Sequence, residues 1–165
     1  MKKILLSALV ALTVTAPAYA ASGNTSTASG AAAANVVTPI VLTHTSSATL
    51  NFGSFTTGSG GSVSVAADNT SSTTGDVGFV PGSTQAADQF SVKGDAGRSF
   101  SISSGSGTVA NGAVTMAFVT VPSLASTTLS PTGTATFTVG GTLTVTGSET
   151  AGAYHGTYDA TVAYN

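Results

Sequence analysis

Residues 134–146 read TATFTVGGTLTVT. Ala135, Phe137, Val139, Gly141, Leu143 and Val145 all fall on odd positions, and the even positions carry only threonine or glycine. A period of two sends successive side chains to opposite faces of a pleated strand. The stretch therefore dictates a strand with one buried face, and a one-residue slip would turn every apolar side chain to solvent. A two-residue turn at Gly140-Gly141 would pair Val139 with Thr142 and set apolar side chains against threonines. Either the strand runs on through the glycines with a kink, or a three-residue loop pairs Val139 with Leu143. The continuous strand is preferred, because glycine inside a strand marks a bend, a bulge or a close backbone approach.

The rest of the chain repeats this character. Thr, Val, Ser and Gly dominate, and β-branched residues favour pleated backbone. The one helix-friendly run is the four alanines at 31–34, too short to nucleate a helix. Strands are expected at 36–42, 48–52, 62–66, 75–80, 89–93, 99–103, 113–121, 134–139, 142–146 and 156–164. Turn signals separate them: Gly58-Ser59-Gly60-Gly61, Pro81-Gly82, Gly94-Asp95-Ala96-Gly97, Asn111-Gly112 and Pro131-Thr132-Gly133. Strands at this spacing predict an all-β fold, an antiparallel β-sandwich.

The chain ends AGAYHGTYDATVAYN. Tyr154, Gly156, Tyr158, Ala160, Val162 and Tyr164 alternate with mostly polar residues, Ala163 excepted. The pattern reads as one strand, central to its sheet, without which the fold cannot close.

The start of the chain reads differently. Lys2 and Lys3, an apolar run over 4–14 and Ala18-Tyr19-Ala20 form the pattern of a secretory signal peptide over 1–20, too short in its apolar part to span a bilayer. The expected location is therefore exported: periplasm, cell surface or extracellular. Residues 21–35, ASGNTSTASGAAAAN, have little to bury and read as a flexible low-complexity arm, with a β-sandwich domain over 36–165. Past the leader only Lys93 and Arg98 oppose six acids, two minus six giving a formal charge of −4. Charged residues make up 6% of the chain, against about 25% in ordinary proteins, so the surface must be Thr, Ser, Gly and Asn. With no basic patch, nucleic acid and anionic membranes are poor partners. There is no cysteine, so sheet hydrogen bonds and apolar packing must hold the fold without disulfides.

Signals for chemistry are sparse. His44 lies at a strand end and His155 on the polar face of the last strand, and neither sits near a nucleophile elbow. Both read as surface histidines. Most of the acids, such as Asp76 and Asp95, flank turn glycines, where carboxylates bond nearby backbone amides. Asp68-Asn69-Thr70 and Asp95 are weak calcium candidates, without the spaced acids of an EF-hand loop. Phe52, Phe79, Phe90, Phe100, Phe118 and Phe137 read as core, and Phe55 falls outside the strand pattern. No catalytic residue, metal site or cofactor is expected, and the chain reads as a non-enzymatic structural or binding module.

Gly152, fourteenth from the end, and Tyr164, next to last, resemble the C-terminal strand signature of chaperone–usher pilus subunits. AGAYHGTYDATVAYN is similar to the ending of the spore coat protein U family, and LNFGSF at 50–55 to a motif of the same group. With VVTPIVL, LNFG, ATFTVGGTLTV and the tyrosine-rich ending together, the chain most resembles the DUF4402 family of exported bacterial domains over 36–165. The pilin resemblance implies an immunoglobulin-like sandwich missing one strand. A periplasmic chaperone, and then a neighbour's N-terminal arm, would fill the gap by strand addition. It further implies that Tyr154, Tyr158, Val162 and Tyr164 face the core or groove and that Gly152 and Gly156 permit close backbone approach; Phe52 and Gly53 of the LNFG motif are structural candidates beside them. The alternative is a complete sandwich in which 36–42 is its own first strand. The expected function is a structural subunit of a bacterial surface fibre or coat. The other reading is a monomeric secreted adhesin module whose loops at 58–61 and 68–76 carry the site.

Overall fold

The structure, a computed structural model, describes residues 23–25 and 27–165. The expected signal peptide lies outside the described residues. The chain divides into two units, 1–35 and 36–165. In the first, the described residues form no strand or helix. The second holds thirteen strands, all pairings are antiparallel, and no helix occurs among the described residues.

β11, Thr134–Val145, organises the larger sheet. It runs unbroken through Gly140 and Gly141, as the alternation predicts. Its odd positions from Phe137 to Val145 are all buried. Along one edge its first half pairs with β6, Asp88–Lys93, and its second half with β3, Gly61–Val65. The change of partner falls at Gly140, between the Val139–Asp88 and Gly141–Val65 pairs. A Cβ on Gly140 would run into the backbone of Val65, Ala66 and Ala67. The glycine is required because two strands end against a third there.

β9, Val114–Pro122, lines the other edge of β11 and forms a hairpin with β8, Gly107–Asn111. β1, Val41–His44, closes one edge of this sheet and β12, His155–Thr157, the other. β4, Ser71–Gly75, extends it beyond β3. A second sheet contains β10 (Ser126–Thr128), β7 (Ser99–Ser104) and β13 (Ala160–Tyr164) in that order. A two-stranded ribbon joins β2, Phe55–Thr56, to β5, Gly78–Phe79.

Two clusters form the core. One joins Phe90, Val92, Phe137 and Val139 of the large sheet to Phe100 and Ile102 of the three-stranded sheet. The other joins Val63, Val65, Met116, Phe118, Leu143 and Val145 to Phe52, with the ribbon residues Phe55 and Phe79 against it. Tyr158 packs against both clusters.

The structure corrects several expectations. The expected first strand at 36–42 is shorter and later, Val41–His44, because Pro39 lacks the N–H a ladder needs. The segment 48–52 contributes only an isolated bridge, Asn51 to Ala86. GTVAN, which lies between the expected strands 99–103 and 113–121, is β8, held by its hairpin with β9. The C-terminal stretch is two strands rather than one. β12 pairs with β8 in the large sheet, β13 pairs with β7 in the small one, and the chain crosses between them at Tyr158-Asp159. Neither is central, since each lies at the edge of its sheet.

Candidate functional site

The alternation DQFSVK in β6 turns Asp88, Phe90 and Val92 to the same buried face. An ionised carboxylate in such a position is costly unless it is hydrogen-bonded. Asp88 is 5% exposed and has three partners. His44 Nε2 lies 2.7 Å from Oδ1, the Gln89 backbone N–H donates to the same oxygen at 2.8 Å, and the Tyr158 hydroxyl donates to Oδ2 at 2.8 Å. His44 comes from β1 and Tyr158 from the crossing between β12 and β13. The carboxylate therefore ties one edge strand of the large sheet to the point where the chain changes sheets.

Aromatic rings surround this cluster. His44 lies 5.1 Å from the Phe90 ring, and Tyr158 meets Phe90 and Phe118 edge-on at 6.2 and 6.1 Å. Edge-to-face pairs at such spacing are attractive beyond the area they bury. Burial, then the hydrogen bond to Asp88 and the negative charge it carries, push the Tyr158 hydroxyl well above the ordinary tyrosine range.

The cluster borders a cavity of about 1140 Å³. Phe52, Met116, Phe118 and Leu143 supply apolar wall, and the segments 49–58 and 149–158 form its rim. Desolvation raises the Glu149 carboxyl on that rim, but hydrogen bonds from Thr146 N–H, the Thr146 hydroxyl and Gly147 N–H outweigh it and hold the group below its ordinary value. Among the described residues, no lysine or arginine lines the cavity.

Of the residues singled out in the sequence, Phe52, Gly53, Gly152, Tyr154 and Tyr158 line this one cavity. Phe52 is buried, and the Tyr154 hydroxyl donates to the Thr150 carbonyl at 2.8 Å. At Gly156, a Cβ would enter the backbone of Thr108 on the paired strand β8. Val162 and Tyr164 lie elsewhere, on β13 against the other core cluster. The Tyr164 hydroxyl accepts the Asp95 N–H at 2.7 Å and donates to the Thr38 carbonyl at 2.8 Å.

His44 is an exposed histidine, as expected, but Asp88 flanks no turn glycine and lies on a buried strand face. His44 keeps 47% of its side chain exposed yet engages a buried carboxylate. The shared parity of Asp88 with Phe90 and Val92 is the available signal, and Asp88 falls one residue before the expected strand at 89–93. Of the two turn acids, Asp76 accepts the N–H of Ser59 from a remote turn and Asp95 accepts from Arg98 Nε, while Asp68, a calcium candidate in the sequence, takes the local turn geometry by accepting the Thr70 N–H and hydroxyl. Hydrogen bonds from Thr70 accordingly lower the Asp68 carboxyl below its ordinary value. Phe55 pairs with Phe79 and lines the cavity. No cluster of three or more His, Cys, Asp or Glu suited to a metal occurs among the described residues.

The two edges beside the second core cluster share one property. Among the described residues, β7 is the one strand paired with β13, and β6 the one strand paired with β1. Ile40 and Leu42 from the first edge, and Ala160, Val162 and Tyr164 from the second, pack against the same cluster but are only half-buried.

No curated protein and no solved structure matches the chain. The model of one family, a domain of unknown function (DUF4402), matches residues 42–164, a span that takes in both edges, the Asp88 cluster and the cavity. The chain belongs to the DUF4402 family.

Proposed function

We propose that the protein is a non-enzymatic structural subunit of a bacterial surface fibre or coat, exported by its signal peptide and assembled by strand addition. The domain reads as a pilin-like, immunoglobulin-like sandwich that leaves room for one more strand. The observation that carries this is the state of β13. It is an edge strand with a free ladder on its outer side, and its inward side chains are half-buried. A strand laid along that edge would gain main-chain hydrogen bonds and cover Ala160, Val162 and Tyr164. Long exposed edges otherwise invite uncontrolled pairing, so an edge of this kind favours a dedicated partner. In transit that partner is a periplasmic chaperone; in the assembly it is a neighbouring subunit.

The test is the native size of the protein taken from its own cells without boiling. Ladders or fibres by gel and negative-stain microscopy are the expected result. Monomer alone under every growth condition would sink the proposal. A second reading, a monomeric exported binding module such as a glycan adhesin, is favoured by the aromatic-walled cavity. A glycan array gives hits on that reading and none on the first.

A further inference from the structure

The three-stranded sheet covers only part of the large one. Phe100 and Ile102 of β7, with Val162 and Tyr164 of β13, pack on Phe90, Val92, Phe137 and Val139. Among the described residues, none from β10, β7 or β13 joins the other cluster of Val63, Met116, Phe118 and Leu143. That part of the large sheet meets the segments 49–58 and 149–158 instead, and the cavity lies where they meet. At about 1140 Å³ it has room for a small molecule, since binding pockets are commonly about 300–1,000 Å³. Its mouth is open to solvent, because Thr49, Ser54, Thr150 and Ala153 line it and are exposed.

Two features of the wall select what can bind. The first is aromatic. Phe52 meets Phe118 edge-on at 5.8 Å, Phe118 meets Tyr158 at 6.1 Å, and Tyr158 meets Phe90 at 6.2 Å. These rings run without a break to the carboxylate of Asp88, to which Tyr158 donates. Phe55 and Tyr154 add two more rings to the lining. The faces of such rings are negative and attract cations. The second feature is charge. Asp88 and Glu149 line the cavity, and among the described residues no lysine or arginine opposes them there. Asp88 accepts from His44, Gln89 and Tyr158, and Glu149 from the Thr146 N–H, the Thr146 hydroxyl and the Gly147 N–H. A carboxylate offers about four acceptor positions, so each keeps one to give. A cleft lined by one sign of charge gathers ions of the other sign. A carboxylate or phosphate ligand would meet two like charges and no permanent counter-charge.

We infer that the cavity binds an organic ammonium ion, its apolar body against Phe52, Met116, Phe118 and Leu143 and its charged nitrogen facing Asp88 beside Tyr158. The site goes beyond both the fibre and the glycan-adhesin readings. β13 contributes no residue to the cavity, so the site is the same whether or not the chain polymerises, and the wall selects a cation rather than a sugar.

Isothermal titration calorimetry of the full chain at neutral pH tests this with three probes of equal length: octylammonium, 1-octanol and octanoate. Octylammonium is expected to bind at least tenfold more tightly than either of the others. Melting curves verify that each variant is folded. Ala153→Lys places a cation at the mouth, on an exposed residue, and is expected to weaken octylammonium at least fivefold and to tighten octanoate. Thr136→Lys adds the same charge on an exposed position of β11 outside the cavity, and is expected to change neither by more than twofold. Asp88→Asn keeps the shape and removes the charge, and is expected to bring octylammonium down to the level of octanol. Equal binding of the three probes would make the cavity an apolar pocket without charge selection and overturn the inference. Binding of none would overturn it too, and would leave the fibre proposal, which rests on β13, untouched. Should Asp88→Asn fail to fold, Ala153→Lys and Thr136→Lys still decide: equal effects of the two would overturn the inference.

Discussion

β11 and β13 carry the same alternation of apolar and polar residues, and the fold treats them differently. In β11, Phe137, Val139, Leu143 and Val145 are at most 3% exposed, and both edges of the strand are paired. In β13, Ala160, Val162 and Tyr164 are half-buried, and one edge is free. Period two says which face of a strand turns inward. Whether the strand is enclosed depends on its neighbours, which come from remote parts of the chain. An alternation left half-covered marks a place where something more can pack.

The sharpest way to break this comparison is at the centre of β11. Gly140→Val forces side-chain carbons into the backbone where β3 turns toward β4. Backbone cannot yield as a flexible side chain can, so the cost exceeds the roughly 1–3 kcal/mol of ordinary overpacking. The expected outcome is no soluble folded protein on expression, checked by yield and by circular dichroism of any soluble fraction. A variant that folds with wild-type cooperativity would mean that β3 and β6 do not abut at this glycine.

Truncating one residue in each strand sharpens the comparison. Phe137→Ala empties a site stacked 5.3 Å from Phe90, and large aromatic deletions in cores cost about 3–5 kcal/mol. Val162→Ala, at a half-covered site, should cost about 1 kcal/mol or less by the same reasoning scaled to burial. Urea denaturation of the two variants measures the difference. Equal losses would mean that β13 is as enclosed as β11 in solution.

A smaller effect is expected at the junction of the two regions. Tyr158→Phe keeps the ring against Phe90 and Phe118 but removes one of the three donors to the buried Asp88 carboxylate. The loss is about 1–3 kcal/mol, the usual cost of leaving a buried acceptor short of a partner. Chemical denaturation at neutral pH checks it.

The smallest effect is in the pH profile. The folded-state pKa of Tyr158 is raised, so the folded chain holds that proton more tightly than the unfolded chain does. Its contribution to stability is fully present below the unfolded value of about 10 and declines as pH rises above it. Melting temperature should fall more steeply above about pH 10 in the wild type than in Tyr158→Phe. Parallel alkaline limbs would show that the hydroxyl is not held by Asp88.

Local pattern was enough to read the strands that stand alone in it. TATFTVGGTLTVT specified β11, its inward face and the passage through the glycines, because alternation and glycine placement are properties of neighbouring residues. Scarce charge, absent cysteine and abundant Thr and Val specified an all-β chain. The motif set LNFG, ATFTVGGTLTV and the tyrosine-rich ending marked the family, and LNFG and the first half of the ending fell on one cavity. The break of the C-terminal stretch at Tyr158 was not legible, since alternation on either side of it looks the same whichever sheet receives it. Nor was the Asp88 cluster, whose members stand 44 and 70 residues apart along the chain. A carboxylate on an apolar face is a local signal, but its partners are chosen by which strands lie side by side. The sequence by itself determined periodicity, turn positions and the chemistry available on each face. Only the tertiary structure decided which edges found partners and which stayed free, because edge pairing is a long-range contact between segments whose local patterns are alike.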